Sequence, residues 1–296
     1  MKKIVIALLL LFCWIPVVSG CTVKETRHSA NIVRLGTFNI AWLGDGNDDK
    51  ITRTEEDFKR IAGVIEQTDA DVLGLEEIKN PFALQRVLKY LPEYNFYVGT
   101  QGHSQNVGVI YRKDVSVTVE KEYMPVAVDV GRNRPGLILS CLKGNFDWKM
   151  MVVHLKSSSR YDSTPEMQTA ARSTRIAQVE ICSKWVDSSL NASKEQDLFI
   201  VGDFNDFPKR VKNPTLTALL VNTSIEFLTH ESKSCKNDKW FGIDHVVCSQ
   251  SAKKRYISGS DHSVNFYAQF NEIEAEKVSD HCPMIVDFDV SAPDND

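Results

Sequence analysis

Excess positive charge is missing from this 296-residue sequence, in which 35 Lys and Arg stand against 39 Asp and Glu for a formal net charge of -4. A protein that coats nucleic acid by charge is more basic than this, so any anion the chain holds must be held locally. Long apolar runs are scarce too. The most apolar stretch, Ile4 to Val18, is too short to span a bilayer comfortably. The seven cysteines are scattered, with none of the close pairs that a thiolate metal centre needs. No repeat of fixed period and no long low-complexity linker is present, which argues against a solenoid or a string of modules. What remains is ordinary globular composition, 43% hydrophobic and 25% charged, with material for a sizeable core. The length permits one large domain or two small ones.

The N-terminus reads as a targeting segment. Lys2 and Lys3 precede the apolar stretch, which ends in Val18-Ser19-Gly20-Cys21. That order resembles a bacterial lipobox, in which cleavage falls before a cysteine that becomes lipidated. The expectation is a signal peptide over residues 1–20, lipidation of Cys21, and a polar tether over residues 21–31. It places the protein at the bacterial cell envelope, lipid-anchored on its periplasmic or outer-membrane face; plain secretion is the alternative. Loss of Lys2 and Lys3 would leave 33 basic against 39 acidic residues, or -6. Cys13 would be discarded, leaving Cys141, Cys182, Cys235, Cys248 and Cys282 after Cys21. Cys235 and Cys248 flank a Lys- and Asn-rich connection and are expected to pair. Cys182 falls on an apolar helical stripe and is expected to act as a small buried hydrophobe.

Residues 32–291 read as an α/β domain. Val33 to Ile40 is β-rich. Thr54 opens a helix with Glu55, Glu56 and Asp57 in its first turn and Phe58, Ile61, Ala62 and Ile65 as its buried stripe. Val72 to Leu75 is a short apolar strand. Asn80-Pro81 reads as an N-cap followed by proline at the first helical position. Strand-like runs follow, and a helix near Thr169 to Val186 carries Ile176, Val179, Cys182 and Val186 on one face. Further strands are expected at Leu198 to Val201, Ile243 to Cys248 and Met284 to Val290. The acidic tail over residues 292–296 is expected to fray.

Polar residues gather where these strands end. Asn39 closes the first, Glu76 and Glu77 follow the second, and His154 ends a third. Asp203 and Asn205 end a fourth, and alternation along a strand would give them a common face. Asp244-His245 and Asp280-His281 add two acid–imidazole pairs. Singly, each has a bland explanation: a cap, a solvated strand end, a satisfied core histidine. Together, at the ends of several strands, they sit where α/β sheets build sites. His245 and Asp261-His262 are taken as structural, and the clusters Lys209-Arg210-x-Lys212 and Lys253-Lys254-Arg255 as mostly solvated.

In order along the chain, TFNI, LGLEEI, VVHLKS, VGDFND, IDHVV and SDHCP resemble the motifs of the endonuclease/exonuclease/phosphatase superfamily, which has the deoxyribonuclease I-like fold. The resemblance runs from about Val33 to Val290. It implies a four-layer α/β sandwich, two packed and mostly antiparallel sheets flanked by helices. It also implies roles. Glu77 resembles the metal-binding glutamate, with Asn39 and Asp280 as metal or phosphate support; Glu76 stands where the family often has Gln. Asp203 resembles the group that orients or deprotonates water, with Asn205 as its partner. His281 would contact the scissile phosphate, held by Asp244, and His154 resembles a candidate acid for the leaving oxygen. The resemblance also implies substrate contact by Arg134, in Asn133-Arg134-Pro135, and more loosely by Tyr111. The implied cofactor is Mg²⁺, with Mn²⁺ or Ca²⁺ as alternatives, because a hard cation needs few carboxylates to neutralise a phosphodiester. The implied activity is metal-dependent phosphodiester hydrolysis by a monomer, nuclease-like, on nucleic acid in preference to phospholipid. A sphingomyelinase-like or inositol-phosphate phosphoesterase and a non-catalytic surface binding protein are the alternatives.

Overall fold

Two six-stranded sheets, packed face to face, form the centre of the molecule in the computed structural model, which describes residues 27–158, 162–294 and 296. The first sheet has the order β11 (His262–Ser263), β12 (Met284–Asp289), β1 (Ile32–Leu43), β2 (Val72–Ile78), β4 (Asn106–Arg112), β3 (Tyr94–Val98). The second has β5 (Ser116–Tyr123), β6 (Gly136–Lys143), β7 (Phe146–His154), β8 (Leu198–Asp203), β10 (Asp244–Ser249), β9 (Ile225–Phe227). Each sheet contains one parallel pair, β1 with β2 and β7 with β8; the other pairs are antiparallel.

A parallel pair needs a crossover, and a helix supplies it each time. Helix α1 (Glu55–Thr68) joins β1 to β2, and α3 (Pro165–Ala192) joins β7 to β8. These helices cover the outer faces. Phe58, Ile61 and Ile65 of α1 pack on Phe38, Ile40, Leu73 and Leu75. Val179, Cys182 and Val186 of α3 pack on Met151, Val153 and Ile200. Alternate residues of the same strands, among them Val33, Leu35, Val72, Met150, Val152, Phe199, Val201, Val246 and Val286, fill the space between the sheets. The result is the four-layer sandwich. Thr54 caps α1 through a reciprocal pair of bonds with Asp57, and Asn80 caps α2 (Pro81–Leu88) by accepting from the Ala83 amide at 2.9 Å.

Four expectations need correction. Helix α3 begins at Pro165 and ends at Ala192, longer at both ends than Thr169 to Val186, and Ile176 is exposed. The buried stripe passes through Arg175 and Val179, one helical step round from Ile176. The disulfide joins Cys235 to Cys282 rather than Cys248. Cys248 faces the space between the sheets from a central strand, out of reach of the loop that carries Cys235. The acidic tail is docked: Arg255 donates to the carbonyls of Ala292 and Pro293 at 3.1 Å, and Asp296 accepts from the Gln196 amide at 2.7 Å. Finally, the expected tether is bound to the body from Arg27 onward, where Arg27 and His28 meet Asp71 at 2.9 and 3.1 Å. The signal peptide and Cys21 lie outside the described residues. Among the described residues, no helix is long and apolar enough to cross a membrane.

Candidate active site

The alternation that fills the space between the sheets also aims the polar groups. Val33, Leu35, Thr37 and Asn39 share one face of β1, and Val72, Gly74 and Glu76 share one face of β2. In the second sheet the same face runs Met150, Val152, His154 on β7, Phe199, Val201, Asp203 on β8, and Cys248, Val246, Asp244 on β10. Each run is apolar up to its final one or two positions and polar there. Strand register puts His154 beside Asp203, and Asp203 beside Asp244. The polar ends therefore collect at one mouth of the space between the sheets.

Two residues reach the mouth by leaving the strand pattern. Alternation would send Glu77 to the opposite face from Glu76. Glu77 instead has φ +63°, at an irregularity where β2 loses register with both neighbours, and its carboxylate joins the cluster. Asn205 was expected to share a strand face with Asp203, but β8 ends at Asp203 and Asn205 is left-handed, φ +53°. Its amide N–H donates to Asp203 Oδ1 at 2.8 Å, and its side chain donates to the Leu155 carbonyl at 3.2 Å. Before this turn, Gly202 has φ +145°, and a Cβ there would lie 1.9 Å from the Val153 carbonyl oxygen. Only glycine fits.

Asn39 links the two sheets. Its Nδ2 donates to Asp203 Oδ2 at 3.1 Å and reaches Glu77 Oε1 at 3.4 Å, while its Oδ1 accepts from the Ala41 amide at 2.9 Å. The Trp42 amide donates to Glu77 Oε2 at 3.1 Å. His154 Nε2 stands 3.4 Å from Asp203 Oδ2 and 3.9 Å from Glu77 Oε1. His281 Nδ1 lies 2.8 and 3.0 Å from the two oxygens of Asp244, and its Nε2 is 4.0 Å from Asp203 Oδ2. Asn39, His154, Asp203 and Asp244 are buried, and Glu77 and His281 keep only 15% of their side chains exposed.

Burial sets the charge states. It opposes protonation of His281, but Asp244, with Asp203 and Asp280 beyond it, outweighs it and holds the imidazole well above its ordinary range. Burial holds His154 well below that range, with repulsion from Arg134 and His281 added. Burial also pushes Asp203 up to about 7, helped by Asp244 and Glu77 and resisted by His281. Glu76 is fully buried and held well above the carboxylate range by burial and by Asp244 and Asp203; Thr37 donates to it at 2.7 Å. Held neutral, His154 can donate a hydrogen bond into the mouth.

The remaining candidates divide. Arg134 feels the charges of Glu77 and Asp203, yet its guanidinium is spent on the carbonyl and side chain of Gln105. Asp280 is mostly exposed, 4.0 Å from His281 Nε2, at the rim and apart from the Asp203–Asp244–His281 cluster. Tyr111 pairs with Val72, at the far end of β2 from Glu77 and roughly 17 Å away at 3.3 Å per residue, so it is not at the site. Sequence reading missed two supporting residues. Arg53, buried, donates to the carbonyls of Ile40, Ala41 and Trp42 at 2.7–3.0 Å and so fixes the bend that presents the Trp42 amide. Ser279 donates to the Asn39 carbonyl at 2.6 Å and accepts from the His281 amide at 3.0 Å. A buried arginine is recognisable only once its carbonyl partners are adjacent in space.

A cleft of about 410 Å³ opens beside Asp244, Asp280 and His281, walled by Lys233, Trp240 and Phe241. The Cys235–Cys282 bridge ties this wall to the residue next to His281. Behind Asp244, the carboxyl groups of Glu76, Glu77 and Asp203 crowd the mouth, where His281 is pushed toward positive charge. Such an excess of hard, buried oxygen donors without thiolate fits a divalent cation of the magnesium or calcium type.

The fold and this chemistry define a metal-dependent phosphoesterase. The chain belongs to the Endonuclease/Exonuclease/phosphatase family, whose model matches residues 36–281. No curated protein sequence matches it. Among solved structures it is similar in fold to D. rerio TDP2 complexed with single strand DNA product: 16% identity, TM-score 0.63, covering 87% of this chain and 98% of that one. Truncated Caenorhabditis elegans TDP2 is 18% identical, with TM-score 0.59 and coverage of 87% and 97%. A Bacteroides thetaiotaomicron mannosyl-6-phosphatase is 12% identical, with TM-score 0.58 and coverage of 86% and 98%.

Proposed function

We propose that this protein hydrolyses phosphodiesters in nucleic acid by metal-assisted attack of water on phosphorus. The carrying observation is the placement of two differently charged imidazoles on one carboxylate: His281, held by Asp244, and His154, kept neutral by burial, both face Asp203 Oδ2. Glu77, with Asn39 beside it, would hold the cation, Mg²⁺ or Mn²⁺, and Asp280 would support it from the rim. When bound, the cation neutralises phosphate charge and favours the nucleophile.

The chain's own residues do the rest. Asp203, fixed by the amides of Asn205 and Asn39, orients the water and takes its proton. The water oxygen bonds to phosphorus as the opposite P–O ester bond breaks, and the leaving oxygen takes a proton from solvent at the open mouth. Protonated His281 donates to the phosphoryl oxygens, where negative charge builds up. His154 donates a hydrogen bond, and Asn205 Oδ1 borders the phosphate, while Arg134, held by Gln105, adds positive charge from behind Glu77 and Asp203.

The open cleft and its exposed Trp240 and Lys233 favour an extended polyanion over a small monoester, because a base can stack on the ring while lysine meets phosphate. The single-strand product bound by D. rerio TDP2 supports the same substrate class. The Cys235–Cys282 disulfide supports an oxidising compartment, in line with export and lipid anchoring at Cys21. The test is a panel of single-stranded DNA, duplex DNA, RNA, sphingomyelin and sugar phosphates, each with and without Mg²⁺. Turnover of nucleic acid is expected; turnover of sphingomyelin or sugar phosphate alone would overturn the substrate class.

A further inference from the structure

Asp197 immediately precedes β8, at the opposite end of that strand from Asp203 and roughly 20 Å from it at 3.3 Å per residue. It is 1% exposed, and its Oδ1 is buried with no hydrogen-bond partner. Its other oxygen is 3.7 Å from Arg255 Nε, and the Ser251 side chain also lies against the carboxylate. A buried carboxylate oxygen left bare is costly and calls for a bound group.

The neighbours deepen the need. Glu195 and Asp296 each offer an oxygen so placed that these and an oxygen of Asp197 all lie within 4.8 Å of one another. Two oxygens on opposite sides of an ion that binds at 2.3–2.6 Å stand about that far apart. The backbone has already arranged the three groups: the Asp197 amide donates to Glu195 at 2.6 Å and the Gln196 amide to Asp296 at 2.7 Å. Two more carboxyl groups press in, Asp147 against Glu195 and Asp294 against Asp296. Arg255 and Lys254 border the cleft, but Arg255 is shared among Asp197, Asp294 and the tail carbonyls. Five carboxyl groups thus face two cations. The cleft, about 530 Å³, leaves room for water to complete a coordination shell.

We propose that Glu195, Asp197 and Asp296 form a calcium site, separate from the catalytic centre, that fastens Asp296 to the start of β8. Calcium fits better than magnesium because the donors are mixed in exposure and come from two segments, an irregular geometry that magnesium tolerates poorly.

The test uses the purified full chain carrying Glu77→Gln, so that cation binding at the catalytic mouth is weakened, and the probe is Ca²⁺ alone. Titration calorimetry should find one Ca²⁺ bound, and Tm should rise by about 5 °C or more at one hundred times Kd. Adding Glu195→Gln, or separately Asp296→Asn, should abolish both signals. Without Ca²⁺ these variants should melt no lower than their parent, since each removes like charge from the cluster. In an otherwise wild-type chain the same two substitutions should leave Mg²⁺-dependent phosphoesterase activity unchanged. Absence of Ca²⁺ binding, or a Tm rise that persists in the variants, would overturn the proposal. Asp296 is exposed, so its variant keeps the test open should Glu195→Gln fail to fold.

Discussion

Asp244 belongs to one sheet and His281 to the segment that leads into the other, yet the Asp244 carboxylate meets His281 Nδ1 with both oxygens, at 2.8 and 3.0 Å. The bond spans the sandwich and sets the charge of the imidazole. Asp244→Asn keeps the shape and removes the charge, so kcat should fall on the order of 10² while the protein still folds. The imidazole would also lose its proton at lower pH, because the carboxylate that raises its pKa is gone. The alkaline limb of the kcat profile should therefore move down. An unchanged limb would reject this pair as its source.

Asp203→Asn tests the water-orienting group. Turnover should drop roughly 10²–10⁴-fold. Burial resists ionisation of Asp203, so the metal-free variant should melt no lower than wild type at neutral pH. Wild-type turnover would reject the assignment; a large loss of Tm would show a structural role instead.

Chelation addresses the cation. EDTA should abolish hydrolysis and Mg²⁺ or Mn²⁺ should restore it, and Glu77→Gln should demand much higher metal for half-maximal rate. Full activity with negligible bound metal would end this reading.

An acid-stability prediction rests on Asp71, fully buried far from the mouth. Burial raises its pKa, but His28, Lys143 and the Arg34 amide outweigh it and bring the carboxyl down to about 2. A depressed folded-state pKa stabilises above the unfolded value near 3.9, and this is lost as pH falls toward 2. The contribution at neutral pH is about 2 kcal/mol. Asp71→Asn should lower stability at pH 7 and flatten the loss between pH 4 and 2, measured by urea unfolding. Parallel curves for variant and wild type would contradict it.

The disulfide closes a separation of 47 residues, worth about 4 kcal/mol in a chain-entropy account. Cys235→Ser should lower stability by up to that amount. It should also raise KM more than it lowers kcat, since the bridge holds the wall of the cleft. A variant with unchanged KM would separate the bridge from substrate binding.

Much of this was legible in the sequence because the same period-two code writes both core and site. Met150, Val152 and His154, or Phe199, Val201 and Asp203, need only alternation to be read as one face ending in a polar group. Glu77 and Asn205 broke the reading, since both depend on left-handed backbone that alternation cannot express. Tyr111 failed because a motif position says nothing of which end of a strand it occupies. Cys235 chose Cys282 over Cys248 for a tertiary reason, the burial of Cys248 in a central strand. Short elements such as β9 and α6 (Glu272–Val278) carry too few residues for a period to show.

Gly74 lies where the two sheets approach each other closely. A Cβ there would meet Val201 at 2.9 Å and Val152 at 3.0 and 3.2 Å. These two valines stand one alternation behind Asp203 and His154, just as Gly74 stands one behind Glu76. The missing carbon thus works as a shim of zero thickness: it sets how far the acids of one sheet stand from the acid and imidazole of the other. One methyl group, placed where no substrate or ion ever touches, would open the jaw of the molecule like a wedge driven in behind its hinge.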